Sequence, residues 1–290
     1  MRCYLTKLVI VFIAILIIDF LVGKFVDSCF KRIPDSSLYQ AKIYHSIFNK
    51  KADIIILGGS EASHGYISFI IEDSLHLTTY NAGSDGHDLA YDDIVLQSMC
   101  ERQSPKIVIL DMFYAFMDGS LNQNPHVYCY YGLSDQVTKQ AQSDLSCIEN
   151  IKLHLNMYRL NSTIPWLFRS LSYPIDEQQG FSKLEGVYIE NKYEIHHDFS
   201  LDSIELKHLD AIVEFCNKKN IHLYVFISPS FKINPRFNRW LKEYCNLNNV
   251  HFKDFSMDSR FRNNKLFRDK EHLNYNGAQQ YTNLIIKEIK

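Results

Sequence analysis

The sequence predicts a parallel, doubly wound α/β sheet preceded by one membrane-spanning helix. Three observations point to it. Continuous apolar runs, such as Ile54–Leu57 and the stretch from Lys106 to Met112, read as strands buried on both faces. Segments with helical periodicity lie between these runs, and such alternation is the pattern of right-handed βαβ crossovers. The first run ends in Gly58-Gly59-Ser60, a sharp turn at the carboxyl edge of the sheet, where open α/β folds place ligands.

Composition sets the bounds. At 290 residues the chain can build one large α/β domain with attachments. A hydrophobic content of 46% and a charged content of 22% are ordinary for a globular protein, and a net charge of −2 gives no basis for binding nucleic acid. The 18 Tyr and 19 Phe would suit a carbohydrate-contacting surface, but a large core accounts for most of them. Seven cysteines include no Cys-x-x-Cys pair. Their odd number leaves at least one free within the chain, and Cys129 with Cys147 is the first pair to test for a disulfide.

In chain order, residues 1–7 form a short tail carrying Arg2 and Lys7. Residues 8–26 are apolar apart from Asp19 and a snorkelling Lys24, and they have about the length of a transmembrane anchor. A cleaved signal peptide is the competing reading. Val22-Gly23-Lys24 and Val26-Asp27-Ser28 are poor cleavage sites, which favours an uncleaved anchor. Flanking charges do not set the orientation, but the short tail favours an extracytoplasmic domain, periplasmic or at the cell surface. Residues 27–50 are a linker with room for a short helix, and residues 51–290 form the α/β domain.

Five strands are expected at 54–57, 77–81, 106–112, 221–227 and 250–255. Helices are expected at 67–75, 88–100, 201–219, 235–245 and 275–289. At about 113–200 the alternation loosens into an insertion. It holds the aromatic cluster Tyr128-Cys129-Tyr130-Tyr131, one helix from Gln136 to Leu160, and breaks at Pro165, Pro174 and Gly180. A lid or substrate surface over the sheet edge and a helical subdomain completing the core both fit this stretch.

The chemistry-bearing residues lie at the two ends of the domain. Ser60 follows the first strand. Asp269-Lys270-Glu271-His272 precedes the final helix. A hydroxyl, an imidazole to take its proton and a carboxylate to orient the imidazole make up an activated serine nucleophile. Asp-x-x-His can aim both of its side chains at one point from a single loop.

Together with Tyr80-Asn81-Ala82-Gly83-Ser84-Asp85-Gly86, these segments resemble the SGNH (GDSL-like) hydrolase superfamily. That resemblance implies a flavodoxin-like three-layer fold with a five-stranded parallel sheet. It also implies a triad of Ser60, His272 and Asp269, with the N–H groups of Ser60 and Gly86 as oxyanion donors. The family's Gly-x-Asn-Asp block is replaced by Leu110-Asp111-Met112-Phe113-Tyr114-Ala115, so the usual third donor is missing. Tyr114 and Asn122 are the candidates to replace it or to contact substrate.

The resemblance further implies an extracytoplasmic serine esterase or O-acyltransferase acting on acyl, first of all acetyl, esters of envelope glycans. Its expected partners are an acylated glycan or other envelope polymer and a multipass membrane acyltransferase as acyl donor; no cofactor is implied. The alternative is a membrane-tethered scaffold or glycan-binding module with little chemistry. Among other residues, His64 could act as a base but better fits a packing or capping role. Asp111 could orient a site residue or simply accept loop N–H bonds. His196-His197-Asp198 reads as surface, and no metal set with good partner carboxylates is found around Asp269 and His272.

Overall fold

A computed structural model describes residues 2–33, 39–113, 126–161, 163–170, 179–190 and 192–290. The apolar run Ile54–Leu57 (β1) is flanked on both sides by other strands. The rest of the sheet comprises Thr79–Asn81 (β2), Ile107–Asp111 (β3), His222–Ile227 (β5) and His251–Asp254 (β7). The sheet order is β2-β1-β3-β5-β7, and every neighbouring pair is parallel. Glu194–Ile195 (β4) and Lys232–Ile233 (β6) form a separate parallel pair. Their two-residue length gives no periodic signal in the sequence.

The main sheet separates two apolar layers, so the central strands β1 and β3 are buried on both faces, whereas the edge strand β7 is largely exposed. Successive strand side chains point to opposite faces. Ile55, Leu57, Val108 and Leu110 therefore enter one core, while Ile54, Ile56, Ile107 and Ile109 enter the other. Of the helices flanking the sheet, Tyr39–Phe48 (α2), Leu89–Cys100 (α5), Ser203–Lys219 (α10) and Pro235–Leu247 (α11) supply the first core. Ser68–Leu75 (α4) and Tyr275–Ile289 (α12) supply the second, and Ser60–Gly65 (α3) caps the end of β1. The chain direction across the sheet reverses at β1 and β3, and the crevice beyond their carboxyl ends is the usual ligand position in this topology.

Arg2–Phe30 (α1) is a single helix of 29 residues; within its stretch Tyr4–Phe30 an 18-residue window has mean hydropathy 2.8, and the stretch is long and apolar enough to cross a membrane. Between β3 and β5, the expected helix from Gln136 to Leu160 is instead three: Asp135–Asp144 (α6), Cys147–Leu153 (α7) and Asn156–Arg159 (α8). Leu145 and Leu155 break it by taking extended backbone, and Ser146 starts a new helix with a reciprocal capping box to Glu149. Thr163–Ser170 (α9) follows. Cys129 and Cys147 are both free thiols: the first is buried, while the second is exposed at the start of α7.

Candidate active site

Tight packing at the end of β1 positions Ser60. Gly58 has φ +130°, and a Cβ there would meet the Asp111 carbonyl oxygen at 2.6 Å, so only glycine fits. Its N–H donates to Asp92 Oδ1 at 2.9 Å. Beyond β2, the buried Asn81 side chain donates to the carbonyls of Ala62 (2.7 Å) and Tyr66 (3.0 Å) and accepts from the Gly83 N–H at 3.0 Å. Gly83 lies so close to α3 that an added Cβ would sit 2.6 Å from that of Ala62. Ser60 is thus the first residue of a helix held from both flanks, with its N–H among those lacking an intrahelical acceptor.

The late loop is shaped by its own aspartate. Asp269 Oδ1 accepts the backbone N–H groups of Glu271 and His272, each at 2.9 Å. That curl brings the His272 ring back over the carboxylate, with Nδ1 at 2.9 Å from both oxygens. Nε2 lies 2.7 Å from Ser60 Oγ. Asn274 anchors the loop from behind, capping α12 at Gly277 and donating to the carbonyls of Gly186 and Lys265, each at 2.8 Å. Ser60, His272 and Asp269 therefore form one continuous hydrogen-bonded chain.

The surrounding charges favour the protonated imidazole. Burial works against the His272 imidazolium, but the hydrogen bond to Asp269 and the charges of Glu61, Asp269 and Glu271 prevail and raise its pKa to about 8. Burial likewise opposes the Asp269 carboxylate, yet bonds from the His272 ring and from two backbone N–H groups hold it below the usual range. Such a set can take the serine proton once the ring is neutral and return it to a leaving alkoxide.

Glu61, which the sequence reading did not single out, is buried beside this chain, with Oε2 3.3 Å from Ser60 Oγ. Burial raises its pKa, partly countered by His272. Glu61, Glu271 and His272 lie close enough together to be considered as metal donors. Both ring nitrogens of His272 are already engaged, however, and Glu271 pairs with Lys232.

Gly86 lies in an exposed loop with φ +71°, open space where a Cβ would sit, and no acceptor for its N–H among the described residues. Asp111, at the position of the missing block, accepts the hydroxyls of Tyr66 and Ser228 and also the backbone N–H of Ser228, a loop bond of the kind expected of it. Burial pushes its carboxyl up to about 8. It touches neither Ser60 nor His272, so it orients no member of the hydrogen-bonded chain. Tyr114 and Asn122 lie outside the described residues.

His64 makes no bond to Ser60. Its Nδ1 lies 2.7 Å from the Ser182 carbonyl and its Nε2 3.1 Å from Asp85, while its ring meets that of His272 edge-on at 5.6 Å. The buried Lys42 of α2 braces the same side, donating to Ser63 Oγ at 3.0 Å and the Gly83 carbonyl at 2.8 Å. A lysine within a linker gave no sign of this role, because its burial depends on how α2 packs. His197 and Asp198 are exposed, as expected, while His196 is half-buried and pairs with Glu194 at 3.1 Å.

No curated protein matches the sequence. Among solved structures, the chain is similar to a G-D-S-L-family protein from Desulfitobacterium hafniense DCB-2, with 11% identity over 81% of this chain and 98% of that one, at a TM-score of 0.43. It is similar to the psychrotrophic esterase EstA from Pseudoalteromonas sp., with 11% identity over 82% and 96% and a TM-score of 0.43. A third is the acetyl xylan esterase AlAXEase, with 11% identity over 81% and 97% and a TM-score of 0.41. A family model that carries no functional description matches residues 121–290. The chain belongs to the family defined by that model, and its sheet order, with the serine after β1 and Asp-x-x-His before the last helix, is the arrangement that the resemblance to the SGNH (GDSL-like) hydrolases implies.

Proposed function

We propose that the protein is a membrane-anchored, extracytoplasmic serine esterase or O-acyltransferase acting on acyl esters, acetyl first, of envelope glycans. The observation carrying this reading is the unbroken relay from Ser60 Oγ through His272 to Asp269. Neutral His272 takes the Ser60 proton as Oγ bonds to the ester carbonyl carbon. The N–H groups of Ser60 and Gly86 receive the oxyanion. Collapse breaks the bond to the alcohol oxygen, which leaves with the proton from His272, and the acyl group stays on Ser60. Water or a sugar hydroxyl then gives its proton to His272 and attacks the acyl carbon; the bond to Ser60 Oγ breaks, Oγ takes the proton back from His272, and an acid or a new ester is released.

A fluorophosphonate probe tests the reading: it should label Ser60 in the folded full-length protein and leave Ser60→Ala unlabelled. Folded wild type that resists the probe above pH 8 contradicts it.

The anchor reading draws on one contact in particular. Asp19, within α1, accepts the backbone N–H groups of Asn156 (2.9 Å) and Met157 (2.7 Å). A segment cleaved as a signal peptide would take away the cap of α8. We further propose that a multipass membrane acyltransferase supplies the acyl group to this single-anchor domain. Co-purification in mild detergent with the full chain, lost when residues 1–30 are deleted, is the expected outcome.

A second reading, an SGNH-like scaffold or glycan-binding module of a polysaccharide-modifying complex, is favoured by Asp111, which stands where the family's asparagine block would be and is tied to Tyr66 and Ser228. Full cellular function in Ser60→Ala would select it.

A further inference from the structure

Asp19 is a carboxylate in the middle of an apolar helix, yet it is buried by its own protein. Oδ2 accepts both the backbone N–H and the side-chain Nδ2 of Asn156 at 2.9 Å, and Oδ1 accepts the Met157 N–H at 2.7 Å. Arg159, one turn further on, donates to Asn156 Oδ1 at 2.7 Å and brings a balancing charge. Gly23, one turn beyond Asp19, makes room for this contact: a Cβ there would lie 2.4 Å from the Asn156 side chain. Residues 4–18 of α1, by contrast, are all exposed.

Depth follows from helix geometry. Asp19 lies seven residues before Val26, the last residue of the apolar run. At 1.5 Å per residue this places it about 10 Å below the end of the run. The start of α8 is bonded to Asp19 and must share its depth. Helices α7 and α8 would be expected to carry polar outward surfaces at such a level if water covered them. Instead Ile148, Ile151, Leu155, Met157 and Tyr158 are exposed, with Ile148 and Ile151 on one face at i, i+3. Glu149, Lys152 and His154 form a polar edge beside them, and the Lys152 ammonium lies over the Tyr158 ring at 5.6 Å.

We propose that α7 and α8 are an interfacial membrane element, immersed at the boundary of headgroups and acyl chains, with the bilayer covering their apolar face. Resting on the reading of α1 as an uncleaved anchor, this makes the insertion part of the membrane attachment rather than a purely aqueous lid. An amphipathic helix sunk about 5–10 Å below the headgroups has this combination of apolar face and charged edge.

Two methionines allow a direct test without substitutions. Met157 of α8 is 50% exposed by the protein itself, and Met257, after β7, is 53% exposed. The full chain in phosphatidylcholine–phosphatidylglycerol nanodiscs would be treated with brief pulses of hydroxyl radicals generated in water, and modification read by peptide mass spectrometry. Met157 should be oxidised at least tenfold more slowly than Met257, with Phe12 of α1 also protected. If Phe12 is protected but Met157 reacts as fast as Met257, the anchor reading stands and the interfacial element is overturned. Modification of Phe12 as well overturns both. Protection of Met157 in native membranes but not in nanodiscs would assign the face to a protein partner and also overturn the proposal.

Discussion

His272 must be neutral to accept the Ser60 proton, yet Asp269, Glu61 and Glu271 outweigh burial and raise its pKa to about 8. The charged form, which cannot take that proton, is therefore favoured toward lower pH. Ester kcat/KM should rise about tenfold per pH unit below that value and level off above it. Glu61→Gln removes a negative charge that favours the imidazolium, so the midpoint should move to lower pH. A profile flat from pH 6 to 9 would contradict this assignment. Asp269→Asn keeps an oxygen for the Glu271 and His272 N–H groups but can turn an N–H toward Nδ1, which favours the wrong ring tautomer. By analogy with the serine-protease triad, kcat should fall on the order of 10⁴-fold with little change in melting temperature. Ser60, His272 and Asp269 were legible because a strand-turn-serine and a short Asp-x-x-His leave local signals. Glu61 and Lys42 were not, since a charged residue reads as solvated until the packing that buries it is known.

The elements divide in the same way. Strands β1 and β3 declared themselves by unbroken apolar runs, and α10, α11 and α12 lie within two residues of their expected ends. The three-way split of α6, α7 and α8 was missed, although Ser146 and Glu149 form a capping box that the sequence displays. What no local pattern could show is that the cap of α8 comes from Asp19, 137 residues earlier. Asp19→Ala leaves the N–H groups of Asn156 and Met157 without that acceptor and should cost about 1–2 kcal/mol, within the range for lost N-caps. Thermal unfolding in detergent and limited proteolysis around residues 145–160 would register the loss. Asp19→Asn, which retains one oxygen, should fall between the two; equal stability of all three proteins would show that the contact does not hold α8.

At the scale of the whole molecule, the parallel sheet places the ends of β1 and β3 at the switch point, and the loop before α12 brings the base to the serine found there. Alternation of apolar runs and helices made this architecture legible. The small β4–β6 pair and the packing of α2 against α5 depend on tertiary contacts alone. In place of the family's asparagine donor, the described site offers backbone N–H groups, and losing one donor costs on the order of 10²–10³ in turnover in a well-studied protease. Hydrolysis of nitrophenyl acetate should accordingly be slow unless residues such as Tyr114 or Asn122 supply a replacement; an unchanged rate in Tyr114→Phe and Asn122→Ala would show that they do not. The most direct test of the central claim is to trap the intermediate: full-length protein is mixed with nitrophenyl acetate above pH 8, quenched in acid and mapped by peptide mass spectrometry. An acetyl group on Ser60, absent from Ser60→Ala, is the expected result. Folded protein that releases nitrophenol while carrying its acetyl group elsewhere, or that releases nitrophenol at the same rate in Ser60→Ala, would contradict it.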